Sequence, residues 1–402
     1  MNQANTMAAP TARPGPDRFV VGLALVGLVV LGSLVWAETA PFLLALLAIG
    51  TLLGVALYHG AFGFTAGWRN LVTQKRGAGM RAQLLLFALT ALIMIPILGS
   101  GRDDVIGAVA PVGTSLVVGS FLFGIGMQLG GGCGSGTLFT VGAGNLRMLV
   151  TLLFFIIGAV VGSLHLPWWL DLPAVDPISL IDGVGVPGAI AVQWLGLGAV
   201  ALWVNRVERR AHGHLEHGEL RLRPAEGGAL KALFTGRWPF LWAIAVLAVG
   251  NALTLVIGGS PWGITFAFNL WGAKALQGLG VDMGHFEFWS WAYPAQALSD
   301  SVLVNIPSVM NFGLLLGAML AAGMASRFNE ASRRTPSGRS FLAAVVGGLL
   351  LGYGARLGFG CNIGALFSGL ASASVHAWVW FACAFAGSWI GIRLRPWFRL
   401  AN

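Results

Sequence analysis

The sequence predicts an all-α multi-pass membrane protein with about ten transmembrane helices and four short re-entrant helices, arranged as an inverted internal repeat. Three observations support this fold class. Of the 402 residues, 56% are hydrophobic and only 10% are charged, whereas soluble proteins carry about 25% charged residues. Apolar runs long enough to cross a bilayer recur along the chain, and one unusual glycine-and-cysteine pattern occurs twice.

The apolar runs fall into two length classes. A helix that crosses a bilayer needs about 20 mostly apolar residues. Ten segments approach this length and are predicted to span the membrane: 19–36, 41–58, 81–98, 110–129, 147–165, 187–204, 238–257, 308–326, 340–357 and 375–393. Four others are too short or too rich in glycine to cross alone: 60–71, 133–144, 262–279 and 361–373. Each follows a span and a Gly/Pro break, which is typical of re-entrant half-helices that line a cavity.

The charged connections predict the domain organisation. Residues 1–18 are polar and rich in Pro and Ala, so we expect a disordered cytoplasmic N-terminus. A first half, 19–204, holds an extra span and repeat 1. A cytoplasmic linker, 205–237, joins it to the second half, 238–395, which is repeat 2 and precedes a C-terminal tail, 396–402. Lys and Arg concentrate in alternate connections, so the positive-inside rule predicts that both termini are cytoplasmic.

The two copies of the glycine-and-cysteine pattern superpose without a gap. Residues 119–139 and 347–367 agree at 11 of 21 positions, and Cys133 superposes on Cys361. In the predicted topology an odd number of crossings, five, separates the starts of the two halves. The halves therefore enter from opposite sides, and the repeat is inverted. The Cys133 turn is predicted to dip in from the cytoplasm and the Cys361 turn from outside.

The two cysteine turns suit the binding of an anion. A glycine-rich turn that runs into a short helix leaves backbone N–H groups free at the positive end of the helix dipole. A thiol at that entrance is a weak hydrogen-bond donor, and weak contacts suit an anion that must also be released. The alternative is that Cys133 and Cys361 are small residues filling gaps between packed helices. Their duplication at matched turns favours the functional interpretation.

The candidate path residues are the two cysteines, polar and glycine residues around them, two cations in apolar segments, and two matching glycines of the first and third short segments. They are Cys133, Cys361, Gly132, Gly134, Gly136, Gly360, Asn362, Gly364, Arg356, Lys274, Gly63 and Gly263. Arg356 attracts an anion if it faces the path and only snorkels if it lies at the membrane edge, and Lys274 raises the same question. Asn269 and Asn362 lie within short segments, and each either lines a pore or caps backbone groups. Trp68 and Arg69 are interpreted as interface anchors.

Several function classes are excluded by composition. Three cysteines without a C-x-x-C spacing give neither a disulfide framework nor a zinc site. No Gly-Lys-Ser/Thr sequence occurs, so the chain has no P-loop for ATP. Its basic residues lie between apolar spans without interleaved aromatics, which argues against nucleic acid. We therefore predict no enzyme activity, no metal and no cofactor, with the bilayer and a small anion as partners.

At these residues the sequence resembles the YeeE/YedE family of sulfur-compound transporters, over roughly residues 41–395. The motifs are GGGCGSGT at 130–137, PWGIT at 261–265, LWGAK at 270–274 and GFGCNIG at 358–364. The resemblance implies thiosulfate uptake across a bacterial inner membrane, through thiols lining a central path between inverted halves. It also implies a small soluble sulfurtransferase-like partner on the cytoplasmic side.

The sequence departs from this family at two places. A third family thiol falls on Gly63, and Asn362-Ile363-Gly364 stands where well-known members carry Thr-Ser-Gly-His. A related sulfur or selenium species is therefore also a candidate substrate. Two other functions stay open at this point. One is a membrane sulfur-transfer enzyme with Cys133 and Cys361 as nucleophiles, although neither has a base nearby in sequence. The other is a permease subunit that needs a partner.

Overall fold

The computed structural model describes residues 15–38, 41–216, 228–330 and 337–402. Within these ranges almost all regular structure is helical, so the predicted all-α multi-pass fold class is confirmed. Most of the predicted disordered N-terminus, residues 1–14, lies outside the described residues, and so do residues 217–227 of the predicted linker.

The described residues form seventeen α-helices and one short β-ladder. The helices are α1 (Arg18–Ala37), α2 (Phe42–Gly60), α3 (Phe64–Gln74), α4 (Ala78–Leu98), α5 (Thr114–Gly130), α6 (Gly134–Gly142), α7 (Leu146–Leu170), α8 (Leu180–His212), α9 (Ala229–Thr235), α10 (Phe240–Gly258), α11 (Thr265–Gly278), α12 (Glu287–Ser290), α13 (Ala292–Ser299), α14 (Ile306–Met324), α15 (Gly338–Leu357), α16 (Ser368–Ala371) and α17 (Val375–Leu394). Strands β1 (Val112–Gly113) and β2 (Ala174–Val175) pair antiparallel. A π-helical turn, Asn362–Phe367, leads directly into α16.

Ten helical stretches of the described chain are long and apolar enough to cross a membrane. They contain α1, α2, α4, α5, α7, α8, α10, α14, α15 and α17, which match the ten predicted spans. The four short segments are also helical, as α3, α6, α11 and the π-helical turn with α16. The sequence thus predicts both the number and the order of these elements correctly.

The sixth span ends later than the sequence suggests. Helix α8 continues to His212, beyond the predicted end of the span at residue 204. Its extension is held by Glu208, which is fully buried, pairs with Arg81 of α4 and accepts the N–H of Gly77 at 3.2 Å. This ion pair fastens the first part of the predicted linker to the helical bundle, and α9 forms at the other end of the linker.

The segment between α11 and α14 carries structure that the sequence analysis does not anticipate. Two short helices form there: α12 packs against α7, and α13 packs against α11. Phe288, Trp289 and Met283 are buried in one apolar cluster with Leu166 and Val160. These aromatic side chains gain stability by leaving water, since burial of an aromatic ring removes a large apolar area. The segment forms a wall at one end of the bundle.

The centre of the fold is the antiparallel crossing of α5 and α15, the two helices that end at the cysteine turns. A Cβ added at Gly126 would lie 2.7 Å from the nitrogen of Leu351, and one added at Gly354 would lie 2.6 Å from the nitrogen of Phe123. In the sequence repeat, Gly126 superposes on Gly354 and Phe123 on Leu351. The same contact, a glycine of one helix against a backbone nitrogen of the other, therefore occurs twice with the roles of α5 and α15 exchanged. This is the pattern of a two-fold symmetric interface.

The neighbouring helices follow the same symmetry. Helix α7 packs on α15 as its counterpart α17 packs on α5. Gly352 lies against the carbonyl oxygen of Phe155 in α7, and its counterpart Gly124 lies against the carbonyl oxygen of Ala384 in α17. Because α5 and α15 run antiparallel while their sequences are copies, the repeat is inverted. Small residues permit this close backbone approach between membrane helices.

Gly354→Ala tests the central crossing. The added methyl group would meet the backbone of Gly119 and Phe123 at 2.6 Å, and overpacking of this kind costs about 1–3 kcal/mol. We expect a lower melting temperature of the detergent-solubilised protein, measured by size-exclusion chromatography after heating. Gly63→Ala is the control, since its Cβ would meet only the Cβ of Ala66 at 3.8 Å. Equal stability of the two variants would contradict the proposed packing.

Candidate functional site

The two cysteine turns meet in the interior of the bundle. Cys133 and Cys361 are 1% and 0% exposed. A Cβ added at Gly134 would lie 3.0 Å from the sulfur of Cys361, so the absence of a side chain at Gly134 allows this sulfur to approach the opposite turn. The structure therefore brings together the two thiols that the sequence repeat singles out, and neither faces lipid.

Each thiol sits at the N-terminus of a short helix. The sulfur of Cys133 accepts the N–H of Gly136 at 3.4 Å and lies 3.4 Å from the hydroxyl of Ser135. The sulfur of Cys361 accepts the N–H of Ile363 at 3.4 Å. The N-termini of α6 and of the π-helical turn with α16 thus converge on one region. Their dipoles and free N–H groups make that region favourable for negative charge.

A residue with left-handed backbone conformation lies two positions before each cysteine. Gly131 has a φ of 97°, and its counterpart Phe359 has a φ of 58°. A left-handed conformation costs a residue with a side chain about 1–2 kcal/mol, whereas glycine adopts it freely. The surrounding fold therefore holds Phe359 in strain beside Cys361, which is a common feature of functional sites.

A cavity of about 370 Å³ reaches the Cys133 turn from one end of the bundle. We call it the inner cavity; its lining includes Tyr58, His59, Gly63, Thr65, Arg69, Gly132, Cys133, Gly136, Thr140, Gly236, Arg237, Arg327 and Glu330. All these segments belong to the side that the charge pattern predicts to be cytoplasmic. Three arginines against one carboxylate make the cavity cationic, which favours an anion.

A second cavity, of about 330 Å³, reaches the Cys361 turn from the opposite end. This outer cavity is lined by Ala159, Thr265, Phe266, Phe288, Trp291, Tyr293, Pro294, Ala355, Arg356, Phe359 and Gly360. The guanidinium carbon of Arg356 lies 4.8 Å from the ring centroid of Phe288, and its buried Nε has no hydrogen-bond partner within the described ranges. Arg356 therefore faces the cavity, as one of the two sequence interpretations expects.

The candidate glycines separate into two groups by the space before them. A Cβ added at Gly263 would meet nothing within 4 Å, and one added at Gly364 would meet only the Cα of Gly263 at 3.9 Å. Gly136 is also open, since only the sulfur of Cys133 lies nearby, at 3.5 Å. A Cβ added at Gly132 would instead lie 3.0 Å from the nearest backbone atoms, and one added at Gly360 would lie 2.7 Å from the nearest backbone atom. The first group borders open space, and the second group allows the turns to close.

Buried polar groups without partners concentrate in the same elements. The side-chain nitrogen and oxygen atoms of Asn269 and Asn362 are buried and have no hydrogen-bond partners among the described residues, and the same holds for the hydroxyl of Thr137. Buried polar atoms are bonded in roughly 90% of cases. The capping role considered for the two asparagines is therefore not seen, and their amides are available to a ligand. Thr137 is a further candidate that the sequence analysis did not single out.

Lys274 and Trp68 differ from their sequence interpretations. The ammonium group of Lys274 donates to the carbonyl oxygens of Leu298 at 2.9 Å and Asp300 at 2.6 Å, so it caps the end of α13 and lines neither cavity. Trp68 is fully buried and donates to Gln83 at 2.9 Å, so it is not an interface anchor. Its neighbour Arg69 lines the inner cavity instead.

The sequence analysis also missed the contributions of Arg237 and Arg327 to the inner cavity. They lie in two separate connections of the chain, and no short motif links them to each other or to the cysteine turns. The positive-inside pattern is the one sequence signal that bears on them, because it predicts that their two connections lie on the same side of the membrane. Among the described residues, no cluster of three or more His, Cys, Asp or Glu could hold a metal ion.

The chain has recognisable relatives. Its sequence matches the family described as "Sulphur transport" over residues 59–390. It is 27% identical over 352 residues to the "Thiosulfate transporter TsuA" of Spirochaeta thermophila, which covers 85% of this chain and 96% of that protein. The TsuA protein of Escherichia coli is 25% identical over 368 residues, covering 87% of this chain and 94% of the relative.

A second group of relatives is more similar over a shorter stretch. The "Probable transporter YedE" of Escherichia coli is 37% identical over 161 residues, and that of Salmonella typhimurium is 38% identical over 163 residues. These matches span 38% and 39% of the length of the relatives and 39% of this chain in each case. The chain is therefore similar to less than half of each YedE protein.

Gly63→Cys tests whether the inner cavity reaches this position. Little fills the space before Gly63, whose φ of −103° suits any residue. In a background with Cys133, Cys361 and Cys383 changed to Ala, we expect the new thiol to react readily with a polar maleimide in the solubilised protein. Gly60→Cys is the matched control, because its Cβ would meet that of Ala243 at 2.7 Å and it does not border the cavity. Labelling at Gly60 that equals labelling at Gly63 would contradict the assigned cavity lining.

Proposed function

The chain belongs to the sulphur transport family, and on that premise we propose that it takes up a small sulfur-containing anion along a central path between its inverted halves. The main support is that the inner cavity ends at the Cys133 turn and the outer cavity, from the opposite end of the bundle, ends at the Cys361 turn. These two turns adjoin each other. Thiosulfate is the first candidate substrate, and a related sulfur or selenium species is the second.

The charges along this route support an anion. Arg356 stands in the outer cavity, and Arg69, Arg237 and Arg327 stand in the inner one. These cations raise the local concentration of anions at each mouth. At the narrow centre the donors are instead neutral: thiols, amides and the N–H groups of helix termini. An anion held by weak neutral donors can leave again, as permeation requires.

Thiols match the proposed substrate class. Sulfur is soft and polarisable, and S–H is a weak donor. A sulfur-bearing anion that passes Cys361 and then Cys133 exchanges one weak contact for another while it sheds its water. The unpartnered amide of Asn362 and hydroxyl of Thr137 would replace part of that water. Gly63, where the resembled family has a third thiol, leaves the inner cavity wider at that position.

Transport is favoured over sulfur transfer to the protein. The relatives are named as transporters. The hydrogen bonds of the two sulfur atoms within the described residues involve backbone N–H groups and Ser135, with no histidine or carboxylate that could act as a base. A persulfide formed at such a site would also obstruct the path.

The proposed orientation places both termini and the inner cavity in the cytoplasm of a bacterial cell, with the protein in the inner membrane. Inward movement of an anion against a negative interior costs about 2.3 kcal/mol per charge per 100 mV. Intracellular consumption of the substrate would provide a downhill gradient. A soluble sulfurtransferase-like partner at the inner cavity is our proposal for that consumption, in line with the family resemblance.

Cysteine substitutions test the thiol path. We expect Cys133→Ala and Cys361→Ala each to abolish uptake of radiolabelled thiosulfate into liposomes that contain the purified protein, because each removes a donor at the narrow centre. Cys383→Ala is the control, since this half-buried cysteine lies on α17 and lines neither the inner nor the outer cavity. Full uptake by the Cys133→Ala/Cys361→Ala double variant would refute the thiol path. Competition by unlabelled sulfur and selenium anions would identify the preferred substrate.

Arg356→Gln tests capture at the outer cavity. The change copies Gln128, which occupies the matching place in the first half. We expect KM for uptake to rise by roughly tenfold at low ionic strength, with a smaller effect at high salt, because a cation that attracts the anion is lost. Arg102→Gln is the matched control: this arginine is exposed at the same predicted face and pairs with Asp104 at 2.8 Å. If both variants change KM equally, Arg356 has no special role.

A further inference from the structure

The C-terminal end of α5, which leads into the Cys133 turn, is bound by two arginine side chains. The last carbonyl groups of a helix have no partner within it and need one elsewhere. Arg147 donates to the carbonyl oxygens of Leu129 at 2.6 Å and Gly130 at 2.7 Å. Arg395 donates to the preceding carbonyl oxygen, that of Gln128, at 2.6 Å. Three consecutive carbonyl groups therefore accept from guanidinium groups.

Both arginines are themselves held in place. The Nε of Arg147 donates to the hydroxyl of Ser340, at the start of α15, at 2.9 Å. The Nε of Arg395 donates to the side chain of Asn402 at 2.9 Å, and its guanidinium also donates to the carbonyl oxygen of Ala401. The clamp formed by Arg147 and Arg395 thus joins the beginning of α7, the end of α17 and the C-terminal tail to one helix terminus.

The second cysteine turn has no such clamp. At the end of α15, the carbonyl oxygen of Leu357 accepts from the hydroxyl of Ser115 at 2.9 Å. The carbonyl oxygen of Gly354 accepts from a backbone N–H at 2.8 Å. The residue that matches Arg147 in the second half is Val375. The two turns are related in sequence, yet within the described part of the chain arginine side chains bind only the helix end before the inner turn.

The charge of the clamp is not neutralised by acids. In the described part of the chain, neither Arg147 nor Arg395 forms an ion pair with a carboxylate. Arg395 is 7% exposed and close enough to Arg69 and Arg147 to be repelled by them. The negative end of the α5 dipole and its carbonyl oxygens offset that repulsion, since cations are stabilised at helix C-termini. Charged, buried donors bind such oxygens strongly and directionally.

We propose that Arg147 and Arg395 are positioning residues for Cys133, and that their clamp keeps the inner thiol closed against the Cys361 turn. The proposal rests on the thiol path described above and adds an asymmetry to it. The inner turn is fixed through α5, whereas the outer turn is held by main-chain and hydroxyl contacts. Opening of the path toward the inner cavity then requires movement of α5 against the clamp, and the outer turn is the easier one to displace.

The test measures how fast each thiol reacts, which does not depend on the substrate. In protein carrying Cys361→Ala and Cys383→Ala, the reaction of Cys133 with a small neutral maleimide is followed by mass spectrometry. We expect Arg395→Gln to speed this reaction by roughly tenfold, the effect of losing one charge-assisted hydrogen bond. Arg395→Lys should restore most of the slow rate, because it keeps a cationic donor. Arg147→Gln should act in the same direction as Arg395→Gln.

Two controls separate positioning from general loosening. Arg393→Gln removes an exposed arginine whose guanidinium carbon lies 3.4 Å from the ring centroid of Trp389. The three carbonyl groups at the end of α5 accept instead from Arg147 and Arg395, so the Cys133 rate should not change. In protein carrying Cys133→Ala and Cys383→Ala, Arg395→Gln should leave the Cys361 rate unchanged. An unchanged Cys133 rate, or equal acceleration of both thiols, would overturn the proposal. If Arg395→Gln does not fold, the Arg147→Gln rates decide, since loss of the bonds to the carbonyl oxygens of Leu129 and Gly130 should still speed Cys133 alone. If Arg395→Gln lost uptake without these rate changes, the proposed thiol path would remain tenable, but the proposed positioning role of the clamp would be refuted.

Discussion

The backbone contact between α5 and α15 is the constraint on which the rest of the structure depends. Gly126 and Gly354 allow the two helices to approach until main-chain atoms touch. In a bilayer there is little hydrophobic gain from helix association, so such packing contacts provide most of the stability. Because both helices end in a cysteine turn and run antiparallel, their approach also decides where the turns lie. A wider crossing would leave Cys361 too far from Gly134 to contact it.

The same crossing explains why glycine is so frequent near the site. Some glycines are needed for helix contact, as at Gly124 and Gly352, where a side chain would strike a carbonyl group. Others, such as Gly263 and Gly364, border open space, where an added Cβ would meet nothing within 4 Å or a single Cα at 3.9 Å. Composition alone cannot separate these two uses. The first kind stabilises the inverted halves against each other, and the second kind leaves open space, which the proposed path would use.

The sequence predicts the fold well because both of its main signals are local. Length and apolarity define each span, and the repeat pairs Cys133 with Cys361 without any knowledge of contacts. The failures concern partners far away in the chain. Lys274 lies in an apolar segment but reaches the carbonyl groups at the end of α13, and Arg69 faces a cavity whose other cations come from distant connections. Helix α8 continues beyond its apolar segment, where Arg81 of α4 binds its Glu208. Such pairings exist only after folding.

The duplicated halves have kept their backbone while their charges have diverged. Arg356 of the outer cavity matches Gln128 of the first half, and the matching of Gly63 with Gly263 places Arg69 of the inner cavity opposite Asn269. Each cavity thus has one arginine from these two matched pairs, but from a different helix of its repeat. An exchange of this kind keeps a cation in each cavity while it removes the symmetry between the cavities. The two ends of the proposed path can then differ in how firmly they are held, although their turns derive from one sequence.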